Sequence, residues 1–196
     1  MKFTFICLTV FIIINGCTKE QTMAVNPPAT MPTEEIFTHY NIATGQHYCD
    51  KTSIKPVTIS QMIFKVKFDS TAIYTTVDPL NQYDINKLYG FTEGQDPHVN
   101  SARIGWAYNE GKLRLYAYAY NNQQRLSQEI SAVNIGEIIN CAIKFDSHNY
   151  TFIVADRQVK LSRSPTGFTA QGYQLFPYFG GDEAAPHPIR ICIKDM

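Results

Sequence analysis

The chain has 196 residues, room for one domain of about 160 residues plus terminal segments. Seventeen basic residues balance seventeen acidic ones, so no basic excess is available to hold a phosphate backbone, which argues against nucleic acid as a partner. Hydrophobic residues make up 44%, which excludes wholesale disorder, and twelve Tyr with twelve Phe favour strands over helices.

In chain order, Met1-Lys2 gives a short positive start, followed by the apolar run FTFICLTVFIII over Phe3–Ile14. The run falls short of the roughly 20 residues that span a bilayer but suits the core of an export signal. Ile14-Asn15-Gly16-Cys17 follows, and small residues ahead of a cysteine resemble the lipobox of bacterial lipoproteins. That resemblance implies a signal peptide over 1–16 and an acylated Cys17 at the mature N-terminus; Asn15 is its one unusual residue. Two or three acyl chains would anchor the chain stably, where one would not. Thr18 stands where enterobacterial lipoproteins kept in the inner membrane carry Asp, so the expected address is the outer membrane, on either leaflet. Residues 17–33 are polar, hold three prolines and show no periodicity, as a tether would.

The folded domain is expected over 34–196. Met62, Phe64, Val66 and Phe68 alternate with Ile63, Lys65, Lys67 and Asp69, which predicts a strand with one buried face. Ala72–Val77 reads as its partner, ended by Asp78-Pro79. Tyr83–Phe91 is apolar but irregular. Ala102, Ile104 and Trp106 alternate with Arg103, Gly105 and Ala107, and Asn109-Glu110-Gly111-Lys112 has the chemistry of a hairpin turn. Leu113, Leu115, Ala117 and Ala119 then face one way, and Arg114, Tyr116, Tyr118 and Tyr120 the other. Further strands are expected over Arg125–Ile130, Ile138–Phe145, Tyr150–Ala155, Val159–Ser162, Tyr173–Phe179 and Ile189–Ile193. Strands every 8 to 12 residues, with no sustained 3.6 period, predict an all-β antiparallel two-sheet sandwich of jelly-roll or concanavalin-like type. An up-and-down β-barrel is the alternative.

Cys49, Cys141 and Cys192 remain once Cys7 and Cys17 are set aside. Cys141 reads as a small buried hydrophobe. A Cys49–Cys192 bridge between the two ends of the domain is one permitted arrangement; without a C-x-x-C, a zinc ribbon or thioredoxin-like site is not expected. The five histidines form no i, i+2 or i+4 pair, so no metal site is expected from them. Gly180-Gly181-Asp182-Glu183 with Asp78, Asp84 and Asp96 could offer oxygen ligands to a structural Ca²⁺, but solvated loop carboxylates explain them as well. No other cofactor is expected.

Tyr116, Tyr118 and Tyr120 with Arg114 form the candidate ligand-binding stripe, joined by Arg103 and by Trp106 from the preceding strand, whose face the sequence leaves unassigned. Rings about 6.6–6.8 Å apart along a strand beside an arginine suit stacking on sugars and bonding their hydroxyls or carboxylates. The competing explanation is that tyrosine simply covers a sheet face and pairs across strands. A lyase would need a Tyr or His base beside a group that neutralises a uronate, parts that Arg103, Arg114, Tyr116 and Tyr118 could take. A glycosidase would need two carboxylates across a cleft, whereas the acidic residues here sit mostly in turns. No catalytic residue is singled out by spacing.

The segments Asp84–Phe91, Asn100–Trp106 and Tyr178–Gly181 with Ala185-Pro186 resemble uncharacterised lipoproteins of the Bacteroidota, over most of 36–196. Those chains are similar to concanavalin-like sandwiches and bring no assigned activity. The Gln-x-His of alginate-lyase-like sandwiches does not occur; Gln46-His47 is adjacent instead. The sequence therefore leads first to a membrane-anchored, extracytoplasmic sandwich that binds a glycan or an envelope protein without catalysis. A carbohydrate-active enzyme of lyase type comes second, and a purely structural envelope component third.

Overall fold

A computed structural model describes residues 35–196. The segments expected to be a signal peptide and a tether, with Cys17 between them, lie outside the described residues. Twelve strands are present among those described: β1 (Thr38–Ile42), β2 (Pro56–Ile59), β3 (Gln61–Phe68), β4 (Asn86–Thr92), β5 (Asn100–Asn109), β6 (Lys112–Asn121), β7 (Gln124–Val133), β8 (Ile138–Phe145), β9 (Asn149–Val154), β10 (Arg157–Ser162), β11 (Ala170–Leu175) and β12 (Ile189–Asp195). They form two six-stranded antiparallel sheets, ordered β1-β12-β3-β8-β9-β10 and β2-β11-β4-β5-β6-β7. Both sheets stay open, so the architecture is the expected β-sandwich rather than a barrel.

The alternation seen in the sequence sets the core. Phe64, Val66 and Phe68 of β3 are buried, and so are Ala102, Ile104 and Trp106 of β5 and Leu113, Leu115, Ala117 and Ala119 of β6. A one-residue slip would turn any of these sets to the opposite face, so burying one face pins the register. Trp106, the single tryptophan, packs against Phe68, Tyr74 and Phe179 at ring separations of 5.5, 5.7 and 6.3 Å. The β5–β6 hairpin closes through Glu110 (φ 49) and Gly111 (φ 72), two successive left-handed residues whose twist suits a tight hairpin.

Several expectations are corrected. Ala72–Val77 is not a strand: Asp69 accepts from the Thr71 amide and caps a short 3-10 turn over Ser70–Ala72, drawing the chain away from β3. A second such turn covers Pro79–Tyr83. β1 has no counterpart among the expected strands, and β11 ends at Leu175 rather than Phe179. Cys49, Cys141 and Cys192 are all free thiols. Cys192 lies between the buried Ile191 and Ile193 and so faces outward, whereas Cys49 is in the core. The two therefore project to opposite sides of the sheet and cannot bridge without moving backbone.

Candidate functional site

The outer face of the second sheet carries the site. Across its middle row, Leu175 of β11, Gly90 of β4, Arg103 of β5 and Tyr118 of β6 follow one another in register. Tyr173 and Tyr120 belong to the neighbouring row. Between Lys87 and Tyr89 the β4–β5 ladder shifts register, the sign of a bulge. The extra residue lets Leu88 and Tyr89 both be buried while Lys87 emerges on the outer face beside Arg103.

The loops raise walls around this floor. The Tyr178 amide donates to the Lys87 carbonyl and the Lys87 amide to the Tyr178 carbonyl, at 2.9 Å each way, which extends the sheet past the end of β11. The Gly180 amide donates to the buried Asn86 Oδ1 at 2.7 Å, and His47 Nδ1 donates to the Phe179 carbonyl at 2.8 Å. Phe176, against Tyr40 and Tyr89, and Phe179, against Trp106 and Tyr74, serve the core, while Tyr178 lines the groove with Pro177. Tyr48 stands against Tyr178 at 4.9 Å, and Pro97-His98 closes the opposite side, with His98 against Tyr120 at 5.1 Å. The enclosed groove is about 700 Å³, within the range of about 300–1,000 Å³ usual for small-molecule sites.

Its chemistry is aromatic and cationic. Tyr48, Tyr118, Tyr120, Tyr173 and Tyr178 line it, together with Lys87, Arg103 and Arg125, and no carboxylate does. The Lys87 ammonium lies 5.1 Å from the Tyr118 ring and 5.8 Å from the Tyr178 ring, both within reach of a cation–π attraction. Burial, and after it the Arg103 charge, bring the Lys87 pKa down to about 8 against the opposing pull of Asp84. Arg103 is only 8% exposed. Burial lowers its proton affinity as well, partly offset by the surrounding tyrosines. Burial and the neighbouring Tyr120 push the Tyr118 phenol up to about 12. Gly180 leaves space for the cation: a Cβ there would stand 2.4 Å from Lys87 Nζ and 2.7 Å from the Ile85 carbonyl oxygen.

The residues singled out from the sequence divide. Arg103, Tyr118 and Tyr120 are brought together in the groove. Arg114 and Tyr116 do point outward, but toward the β5–β6 turn. Arg114 donates to Asn109 Oδ1 at 2.7 Å, Glu129 Oε1 at 2.9 Å and Glu110 Oε2 at 2.7 Å, so two carboxylates already neutralise it. Trp106 is withdrawn from the ligand surface altogether, because it shares the inward face of β5 with Ala102 and Ile104. Lys87, Arg125, Tyr48, Tyr173 and Tyr178 are members that the sequence reading misses. The bulge conceals Lys87, and Tyr48, Tyr173 and Tyr178 reach the site through long-range pairings that no local pattern announces.

Among the described residues, no three His, Cys, Asp or Glu side chains are placed to hold a metal ion. Three of the loop carboxylates considered for Ca²⁺, Asp78, Asp96 and Glu183, accept from backbone amides. Glu183 accepts from the Val77 and Asp78 amides and from Asn81, and Asp96 accepts from the His98 amide.

No protein-family model matches the sequence, and no curated protein matches it. Among solved structures, the chain is similar to a single mutant of congerin II at 10% identity and TM-score 0.37, covering 81% of this chain and 100% of that one. It is similar to the carbohydrate-binding module CBM66 from Bacillus subtilis at 7% identity and TM-score 0.36, covering 80% and 91%. A glycosyl hydrolase family 16 protein from Mycobacterium smegmatis gives 11% identity and TM-score 0.37 over 71% and 64%.

Proposed function

We propose that this protein is a membrane-anchored, extracytoplasmic β-sandwich that binds glycan in the groove over β11, β4, β5 and β6. The observation that carries the reading is the convergence of five tyrosines with Lys87, Arg103 and Arg125 on one groove of about 700 Å³. Tyrosine presents an apolar ring face for the C–H side of a sugar and a hydroxyl for its polar edge. The strands fix most of these rings in advance, which reduces the ordering cost of binding. Anchoring and the outer-membrane address come from Cys17 and its context; palmitate incorporation that disappears in Cys17→Ser is the expected result.

Arg103 beside Tyr118 also gives the lyase reading a specific form, with the arginine neutralising a uronate and the phenol acting as base. A phenol held near 12 supplies little phenolate at neutral pH, so binding is the better supported of the two. Hydrolysis by a carboxylate pair has no residues to draw on in the lining. The test is retention of the full-length chain, in detergent, in gels containing polysaccharides. Tyr178→Ala is expected to weaken retention about tenfold, the equivalent of about 1.4 kcal/mol. Unchanged migration across acidic and neutral polysaccharides would refute the reading. New ultraviolet absorbance from unsaturated uronate would replace binding with cleavage.

A further inference from the structure

We infer that the groove selects an acidic saccharide, one bearing a carboxylate or a sulfate ester, and that Arg103 and Lys87 form the seat for its anion. The inference rests on the glycan reading above and adds the ligand class to it.

The first observation is how arginine charge is distributed. The described residues hold six arginines, four of which have a carboxylate within ion-pair distance: Arg114, Arg157, Arg163 and Arg190. The two without one, Arg103 and Arg125, both line this groove. In a chain with equal numbers of basic and acidic residues, that segregation leaves uncompensated positive charge in one concavity.

The second observation is burial. An exposed arginine needs no partner, because water serves it. Arg103 is 8% exposed, and its Nε is buried with no hydrogen-bond partner among the described residues. A buried charge without compensation is costly, and a fold keeps one where something outside the fold completes it. The planar guanidinium fits a carboxylate or sulfate through two parallel N–H donors. Lys87 reinforces that choice: its ammonium is held between the Tyr118 and Tyr178 rings, in Coulombic range of Arg103. A neutral sugar would leave both cations desolvated and unpaired, whereas an acidic one pairs them while its ring lies on the tyrosines.

The test measures the affinity of the full-length chain, in detergent, for polygalacturonate, dextran sulfate, neutral dextran and poly-L-glutamate. At least one acidic polysaccharide is expected to bind at least about tenfold more tightly than dextran; which one does so separates carboxylate from sulfate. Arg103→Gln and, independently, Lys87→Gln should each remove most of that preference while the fluorescence of the buried Trp106 stays native. Equal binding of dextran and the acidic polymers, or preference unchanged in both variants, would overturn the anion seat and leave glycan binding standing. Poly-L-glutamate binding as tightly as polygalacturonate would show charge capture without a sugar and overturn the proposal. Retention by no polysaccharide at all would remove the glycan reading and this inference with it.

Discussion

Two arginines are buried in this sandwich, and replacing each with methionine is expected to move stability in opposite directions. Arg163 is fully satisfied. It donates to Glu93 through Nε at 2.7 Å and Nη2 at 2.6 Å, and through Nη1 to the carbonyls of Asp146 and Gly167 at 2.6 and 2.8 Å. The Tyr150 hydroxyl donates to the same carboxylate at 2.5 Å. The ion pair is almost wholly enclosed, with side-chain exposures of 0% for Arg163 and 7% for Glu93. Arg163→Met strands the Glu93 charge, at a cost of about 3–5 kcal/mol. In a domain of this size each kcal/mol shifts Tm by about 2–4 °C, so Tm falls by roughly 6–20 °C. Arg103→Met instead removes a desolvated charge that pairs with nothing in the protein, while the thioether keeps much of the stem's packing volume. The gain is about 1–2 kcal/mol, or a Tm rise of roughly 2–8 °C. Thermal unfolding followed by circular dichroism and Trp106 emission measures both. A double variant, Glu93→Leu with Arg163→Met, should recover most of the loss, because it removes both charges together. A drop in Tm for Arg103→Met comparable to that for Arg163→Met would refute the reasoning. It would mean the Arg103 guanidinium is serving the fold and not waiting for a ligand.

Affinity for an acidic polysaccharide should fall between about pH 7 and about pH 9.5, as Lys87, with its pKa near 8, gives up its proton. A guanidinium keeps its charge across that range. Lys87→Arg should flatten the profile, since its charge persists. Stability of the unliganded protein runs the other way. The folded Lys87 binds its proton less tightly than the unfolded chain, so its desolvation cost is present in full below about pH 8. That cost is relieved as pH climbs from there toward the unfolded lysine range. For the cysteines, maleimide labelling of the native protein with peptide mapping should find Cys192 modified first. Cys49 and Cys141 should react only after unfolding, because burial encloses both thiols and pushes their pKa values up.

The sequence determined the class of fold and most of its strands, because a sheet with one buried face writes its period into the residues. Phe64-Val66-Phe68 and Leu113-Leu115-Ala117-Ala119 point inward as their alternation requires, and Gly111 sits where the hairpin needs a left-handed residue. The same alternation sends Tyr118 and Tyr120 outward. What period two cannot convey is which outward residues meet. Arg103 and Tyr118 are neighbours through the β5–β6 register, whereas Arg114, on the same face, is absorbed by Glu110 and Glu129. Trp106 stays ambiguous in the sequence and is assigned only once the opposite sheet supplies Phe68 to pack on it. Tertiary structure alone decided the site's remaining members. A bulge turns Lys87 outward, and Tyr178 reaches it from a distant part of the chain through backbone pairing. Bulges and long-range pairings depend on the energy of the whole sandwich, so the groove they build belongs to the fold and to no single stretch of residues.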